Sequence, residues 1–201
     1  MNSIGFKNDS LEILVSTKMI DNGKFIGKMF KKYLNFNNPV LIINQSKKKI
    51  NFSNNNFRTI KTDQVGLSNS RNLAIKNSKG KICLFSDDDV IYSSDFIEII
   101  IDAFNENKNA DVITFQAIND LGHSFKDYPT IRTHNKRSIG TINSFLIAFR
   151  RESIENNNIK FDPRFGLGST FETADEYIFL RDALDKKLNV IHCPKVILSH
   201  K

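Results

Sequence analysis

Three adjacent carboxylates, Asp87, Asp88 and Asp89, follow an apolar run in "KICLFSDDDVIY", residues 81–92. Acids that repel one another cost free energy unless water, a cation or basic groups offset the charge. Two arrangements would do so. Carboxylate oxygens suit hard divalent cations such as Mg²⁺ or Mn²⁺. Residues i and i+2 of extended chain project to one side, so Asp87 and Asp89 could share one ion. The other arrangement is a solvated turn leading into a helix that Ser94 or Asp95 caps.

Just upstream, "VGLSNSRNLAIKNSKG" (65–80) has helical spacing, with Leu67, Arg71, Ala74, Ile75 and Ser78 on one face. A guanidinium on a face turned to a sheet needs an anion, which the aspartates or a bound diphosphate would supply. Otherwise Arg71 snorkels at the helix end. Further on, Thr173 and Glu176 in "FETADEYIFLRDAL" (171–184) make the T-x-x-E pattern of a capping box. Asp175 then falls in the first turn, where the helix dipole favours a carboxylate. Of the histidines, His200 follows the strand-like "KVILS", while His123, His134 and His192 belong to no constellation. Phe125 and Tyr128 would either stack on a sugar or pin their loop to the domain.

These residues need elements to hold them. "LEILVS" (11–16) and "PVLIIN" (39–44) read as buried strands, separated by a helix with Phe25, Ile26, Met29, Phe30, Tyr33 and Leu34 at helical spacing. A short strand near "FRTIK" precedes a helix over 67–78, capped by Ser68 and ended by Gly80. "KICLFS" is the next strand, and a helix over 95–107 follows the acids. That series is the pattern of a parallel sheet with helices on its faces. Beyond it, "DVITFQAI" (111–118) and "NSFLIAFR" (143–150) read as strands and 173–187 as a helix. "NVIHCPKVILSH" closes the chain with one or two strands.

With 201 residues, 40% of them hydrophobic and 25% charged, the chain suits one sizeable domain with its own core. No apolar run approaches the roughly 18–20 residues that span a bilayer. The first ten residues, "MNSIGFKNDS", lack the apolar centre of a secretory signal, so a cytoplasmic location is expected. Cys83 and Cys193 read as thiols of a reduced compartment, without the companions of a zinc site. The net charge of +7 is spread along the chain, in runs such as 47–49, and no nucleic-acid motif accompanies it. Anionic headgroups or phosphorylated ligands fit the charge, and nucleic acid is not expected as a partner.

The unit "GLSNSRNLAIKNSKGKICLFSDDDV" (66–90) closely resembles the central signature of family 2 glycosyltransferases of the GT-A fold. There a Gly-x-Ser-x-x-Arg-Asn helix precedes a strand ending in the aspartate motif. The stretch "FLIAFRRESIENNNIKFDPRFGLGSTFETADEYIFLRDALDKKLNVIHCP" (145–194) is similar to the family's acceptor-side half. The resemblance implies an α/β fold with a mostly parallel central sheet and helices on both faces. It implies one domain over 1–201, with a nucleotide-sugar half (1–92) and an acceptor half (93–201).

The resemblance also implies roles. Ser16 and Thr17 would contact the base or ribose, and Asp63 the base edge. Asp87 or Asp88 would meet the ribose, and Arg71 would belong to the same nucleotide-sugar-binding set. Asp89 would hold Mn²⁺ or Mg²⁺, with Asp87 and His200 as further ligands. Relatives carry the general base in a Gly-Glu-Asp segment. Set against it, this chain reads Thr173-Ala174-Asp175, which makes Asp175 the expected base and Glu172 and Glu176 its alternatives. The expected activity is inverting transfer of a sugar from a nucleoside-diphosphate donor to a glycan or lipid-linked acceptor. Its setting would be assembly of a bacterial surface polysaccharide, with peripheral contact at the inner face of the membrane. A non-catalytic nucleotide-sugar binder of the same fold is the alternative. A nucleotidyltransferase or phosphatase ranks third: "VSTKMIDNGK" is no glycine-rich phosphate loop, and the aspartyl-phosphate pattern is missing.

Overall fold

The computed structural model describes residues 5–18, 23–30, 36–47 and 52–201. In chain order the strands and helices are β1 (Leu11–Thr17), α1 (Phe25–Met29), β2 (Val40–Asn44), β3 (Phe57–Lys61), α2 (Leu67–Asn77), β4 (Ile82–Asp87) and β5 (Ile91–Tyr92). They continue with α3 (Phe96–Glu106), β6 (Val112–Ile118), β7 (Ile147–Arg150), α4 (Arg151–Asn156), α5 (Asp175–Asp185) and β8 (Val190–Ser199).

All eight strands join one mixed sheet in the order β3-β2-β1-β4-β7-β6-β8-β5. The β3-β2-β1-β4 run is parallel, and β6 and β8 are parallel to each other. Strand β7 runs against both β4 and β6, and β5 against β8. All residues of β1 and β2 are buried, as expected of central parallel strands covered on both faces. The sheet steps from β1 to β2 in one direction and from β3 back to β4 in the other. Right-handed crossovers therefore put α1 and α2 on opposite faces. The gap between the carboxyl ends of β1 and β4 is the topological switch point, where open α/β sheets bind ligands.

Local chemistry explains two departures near that point. Ser68 does not cap α2. Gly66 (φ 102°) stands at the N-cap with no side-chain bond, and the Ser68 hydroxyl instead donates to the Phe165 carbonyl, 2.7 Å away. Gly80 does not end α2 either, since Ser78 is the C-cap. Glycine is required at 80 by close approach, because a Cβ there would sit 2.6 Å from the Cβ of Glu12. Glu12, buried within β1, accepts from the Gly80 amide at 2.8 Å and pairs with Arg58 at 2.6 Å.

Helix α1 is shorter than expected, and Tyr33 and Leu34 of its stripe lie outside the described residues. In "NSFLIAFR" the first part is a 3₁₀ turn, Ser144–Leu146, and only Ile147–Arg150 is strand. Ser144, Phe145 and Leu146 are all buried, which a tight turn permits and a half-exposed strand does not. Helix α4 answers to no expectation. The final segment is one strand whose register to β6 shifts around Gln116, leaving Pro194, Lys195 and Val196 exposed.

Candidate functional site

The strand ends at the switch point frame a cavity of about 330 Å³. Its lining comprises Ser16, Thr17 and Lys18 at the end of β1, Gln45 just past β2, Leu67 opening α2, Asp87–Asp89 beyond β4, and Leu167. Register alone sets Ser16 beside Asp87, since the two are partners in the β1–β4 ladder. The Ser16 hydroxyl accepts a bond from Ser70 of α2 at 2.8 Å. Lys18, Gln45 and Leu167 were not anticipated. The signal for the first two was that each directly follows a parallel strand. Gln45 donates both amide hydrogens, to the Gln64 carbonyl at 2.7 Å and the Gly66 carbonyl at 2.9 Å. Its Oε1 is thereby left as an acceptor of fixed orientation. Asp63 is exposed and lies outside the lining.

The three aspartates part company. Asp87 accepts from Arg71 Nη2 at 3.1 Å. Burial pushes the Asp88 carboxyl up, a bond from the Thr17 hydroxyl opposes the rise, and the charges of Asp89 and Asp87 add to it. Asp89 pairs with His200 Nε2 at 3.3 Å, and that bond holds its carboxyl below the ordinary range. The same contact raises His200. The imidazole is clamped by rings, stacked on Phe145 at 4.9 Å and edge-on to Phe125 at 5.1 Å. Phe125 thus pins its loop beside His200, and the Tyr128 hydroxyl accepts from the Ala117 amide at 3.1 Å.

Arg71, 3% exposed, extends from α2 to Asp87 of the cavity lining. One Nη serves Asp87 and the Ser144 hydroxyl, the other binds Asp175 of α5, and the guanidinium lies 5.3 Å over the Phe161 ring. Ser144 gave no signal, being one polar residue in an apolar run. Asp175 is almost fully buried, and Gly166 (φ 94°) makes room for it: a Cβ there would lie 3.0 Å from the Asp175 carboxyl carbon. The Thr173–Glu176 capping box is not made. The residue before α5 is Ala174 in left-handed backbone (φ 67°), with no side-chain cap. Glu176, half-buried, shares a hydrogen bond with Asp175. Burial, that bond and the Asp175 charge push its carboxyl up to about 7, with Arg71 pulling the other way. Glu172 is exposed.

Among the described residues no group of three or more His, Cys, Asp or Glu side chains is placed to hold a metal ion. Asp89, in the cavity lining, and His200 beside it offer two donors. That set fits a divalent cation that takes its remaining oxygens from phosphate and water.

A sheet of this order with an acidic cavity at its switch point defines the GT-A class of fold. Residues 37–178 match the family model described as glycosyl transferase family 2, and the chain belongs to that family. Solved structures of S. aureus TarS share the fold. TarS 1–349 superposes with a TM-score of 0.67 at 15% identity, covering 95% of this chain and 60% of that one. TarS 1–349 in complex with UDP-GlcNAc gives 0.69 at 16%, covering 94% and 57%. The chain therefore spans no more than about three fifths of these structures' length. A comparison with curated proteins returned no match.

Proposed function

We propose that the protein is an inverting glycosyltransferase that moves a sugar from a nucleoside-diphosphate donor to a glycan or lipid-linked acceptor. The observation that carries this reading is the carboxylate cavity at the switch point, backed by the Arg71–Asp175–Glu176 cluster. Ser16, Thr17 and Gln45 line the end suited to base and ribose, Gln45 offering its fixed acceptor to a base N–H. Asp87 and Asp88 would take ribose hydroxyls, and Lys18 would face the phosphates. Asp63 lies too far onto the surface to be our choice for the base edge.

Glu176, rather than Asp175, is our choice of base. Left-handed backbone is where a chain favours glycine, and it falls on Ala174. Aligned on that residue, Ala174-Asp175-Glu176 answers to Gly-Glu-Asp, one position later than the sequence suggested. Asp175 is committed to Arg71 and almost fully buried. Glu176 keeps exposure, and a carboxyl near 7 suits proton abstraction at neutral pH. It would take the acceptor hydroxyl's proton as that oxygen attacks the anomeric carbon and the diphosphate departs. Asp89 and His200 would hold Mn²⁺ or Mg²⁺, which when bound offsets the charge on the leaving diphosphate. The bacterial surface-polysaccharide setting rests on the family resemblance. No helix among the described residues is long and apolar enough to cross a membrane.

The donor site is tested by thermal shift with UDP, GDP, dTDP and CMP, each with and without Mn²⁺. UDP comes first because TarS has been solved with UDP. Ligand at 100 times Kd adds about 2.7 kcal/mol, a rise of roughly 5–10 °C for a chain of this size. No metal-dependent rise with any nucleotide overturns the donor-site reading.

A further inference from the structure

Arg71 differs from an ordinary buried arginine in where its bonds go. None reaches a backbone carbonyl: its partners are two carboxylates and one hydroxyl, contributed by three separate parts of the chain. Its Nε is buried with no partner at all. A side chain placed only to knit elements together would satisfy that group, since a buried unpaired donor costs about 1–3 kcal/mol. The guanidinium is instead drawn toward the acids. Asp87 lines the cavity, and Asp175 is buried beside Glu176, to which it is hydrogen-bonded. The contacts run unbroken from Asp87 through Arg71 and Asp175 to Glu176.

We propose that Arg71 is a positioning residue for the reaction: it fixes Asp175 as a half-neutralised charge behind Glu176, and so ties the base to the donor-facing carboxylate. This rests on Glu176 being the base. Arg71 lies between Asp87 and Asp175, one guanidinium shared by two carboxyl groups, with Glu176 a third carboxyl beside Asp175. Among the described residues the charged groups acting on Glu176 are Asp175, from its own helix, and Arg71, from α2. They act in opposite senses. Neutralising Asp175 must make Glu176 more acidic, and removing Arg71 must make it less so.

The test compares Asp175→Asn, Arg71→Met and Arg71→Lys in two readouts. One is the acid limb of the pH–kcat profile, and the other is direct ¹³C NMR titration of Glu176 without substrate. Asp175→Asn is expected to lower the limb by about one pH unit or more, and Arg71→Met to raise it similarly. In Arg71→Met the loss at pH 7, roughly fivefold for a one-unit rise, is recovered at alkaline pH. Arg71→Lys restores the charge without the fork, so the limb returns toward its wild-type position while kcat stays reduced. A limb and a titration unmoved by Asp175→Asn, or both variants moving them in one direction, overturns the proposal. Asp175→Asn leaves Arg71 paired with Asp87 and Ser144, so it decides alone if Arg71→Met does not fold. Glu176→Gln with wild-type kcat would remove the base assignment instead, and the NMR titration would still report whether Arg71 and Asp175 set that carboxyl.

Discussion

Asp175 and Glu176 are neighbours in sequence with opposite circumstances. One carboxylate is locked under a guanidinium, and the other holds its proton to about 7 because burial disfavours its charge and the first carboxylate lies hydrogen-bonded beside it. A base must be free to move a proton, so the assignment follows from environment rather than residue type. Glu176→Gln is expected to lower kcat by about 10²–10⁴-fold with donor affinity retained, the usual worth of a general base. Steady-state transfer and nucleotide binding measured together check this. Loss of binding in parallel would point to a structural role.

At the scale of elements, an unexpected feature lies away from the cavity, where β6, β8 and the 119–138 loop meet. Gln116 Nε2 donates to His192 Nε2 (3.1 Å), and His192 Nδ1 to Thr114 Oγ1 (2.9 Å). Thr114 then donates to His134 Nε2 (2.7 Å), and His134 Nδ1 to Ser138 (2.9 Å). In that direction each imidazole donates once and accepts once, so both are neutral. A further proton breaks the chain. Burial accordingly lowers His134 to about 4, and His192 in the same direction. In the unfolded chain His134 binds its proton near 6.5, so its contribution is full above that value. It is lost as pH falls toward 4, by about 3 kcal/mol in all. Glu176 works oppositely: raised above its unfolded value of 4.5, its contribution is present in acid and lost as pH rises through about 7. Total stability therefore conceals both. In denaturant titrations, His134→Gln should cost most at pH 7 and progressively less toward pH 4.5. A constant difference would refute the neutral-imidazole chain.

For the whole molecule, the sheet order matters more than any single element. The reversal between β1 and β4 opens the cavity, and β7, running against its neighbours, brings the Ser144 turn to Arg71. The net charge of +7 also belongs to this scale. If the acceptor is carried in a membrane, the protein should sediment with vesicles containing phosphatidylserine at low salt. It should leave pure phosphatidylcholine vesicles in solution, and release from the anionic ones near 0.5 M NaCl, where screening acts within about 4–5 Å. Equal binding to both would remove the electrostatic account.

Much of this architecture is local and was legible in the chain. Runs such as "LEILVS" and "PVLIIN" read as buried strands, and the spacing around Arg71 as a helix with that residue on its apolar face, because periodicity and burial are properties of neighbouring residues. The acid triplet declared itself for a similar reason, since adjacent like charges need a purpose. What tertiary structure decided were the meetings of distant residues: Arg71 with Asp175 and Ser144, Asp89 with His200, Gln45 with the turn before α2. It also decided the backbone of Ala174, where a sequence pattern suggested a cap and the fold imposed a left-handed turn. These depend on strand order and register, which bring together side chains separated by as many as 111 positions, Asp89 and His200, and which no local period encodes.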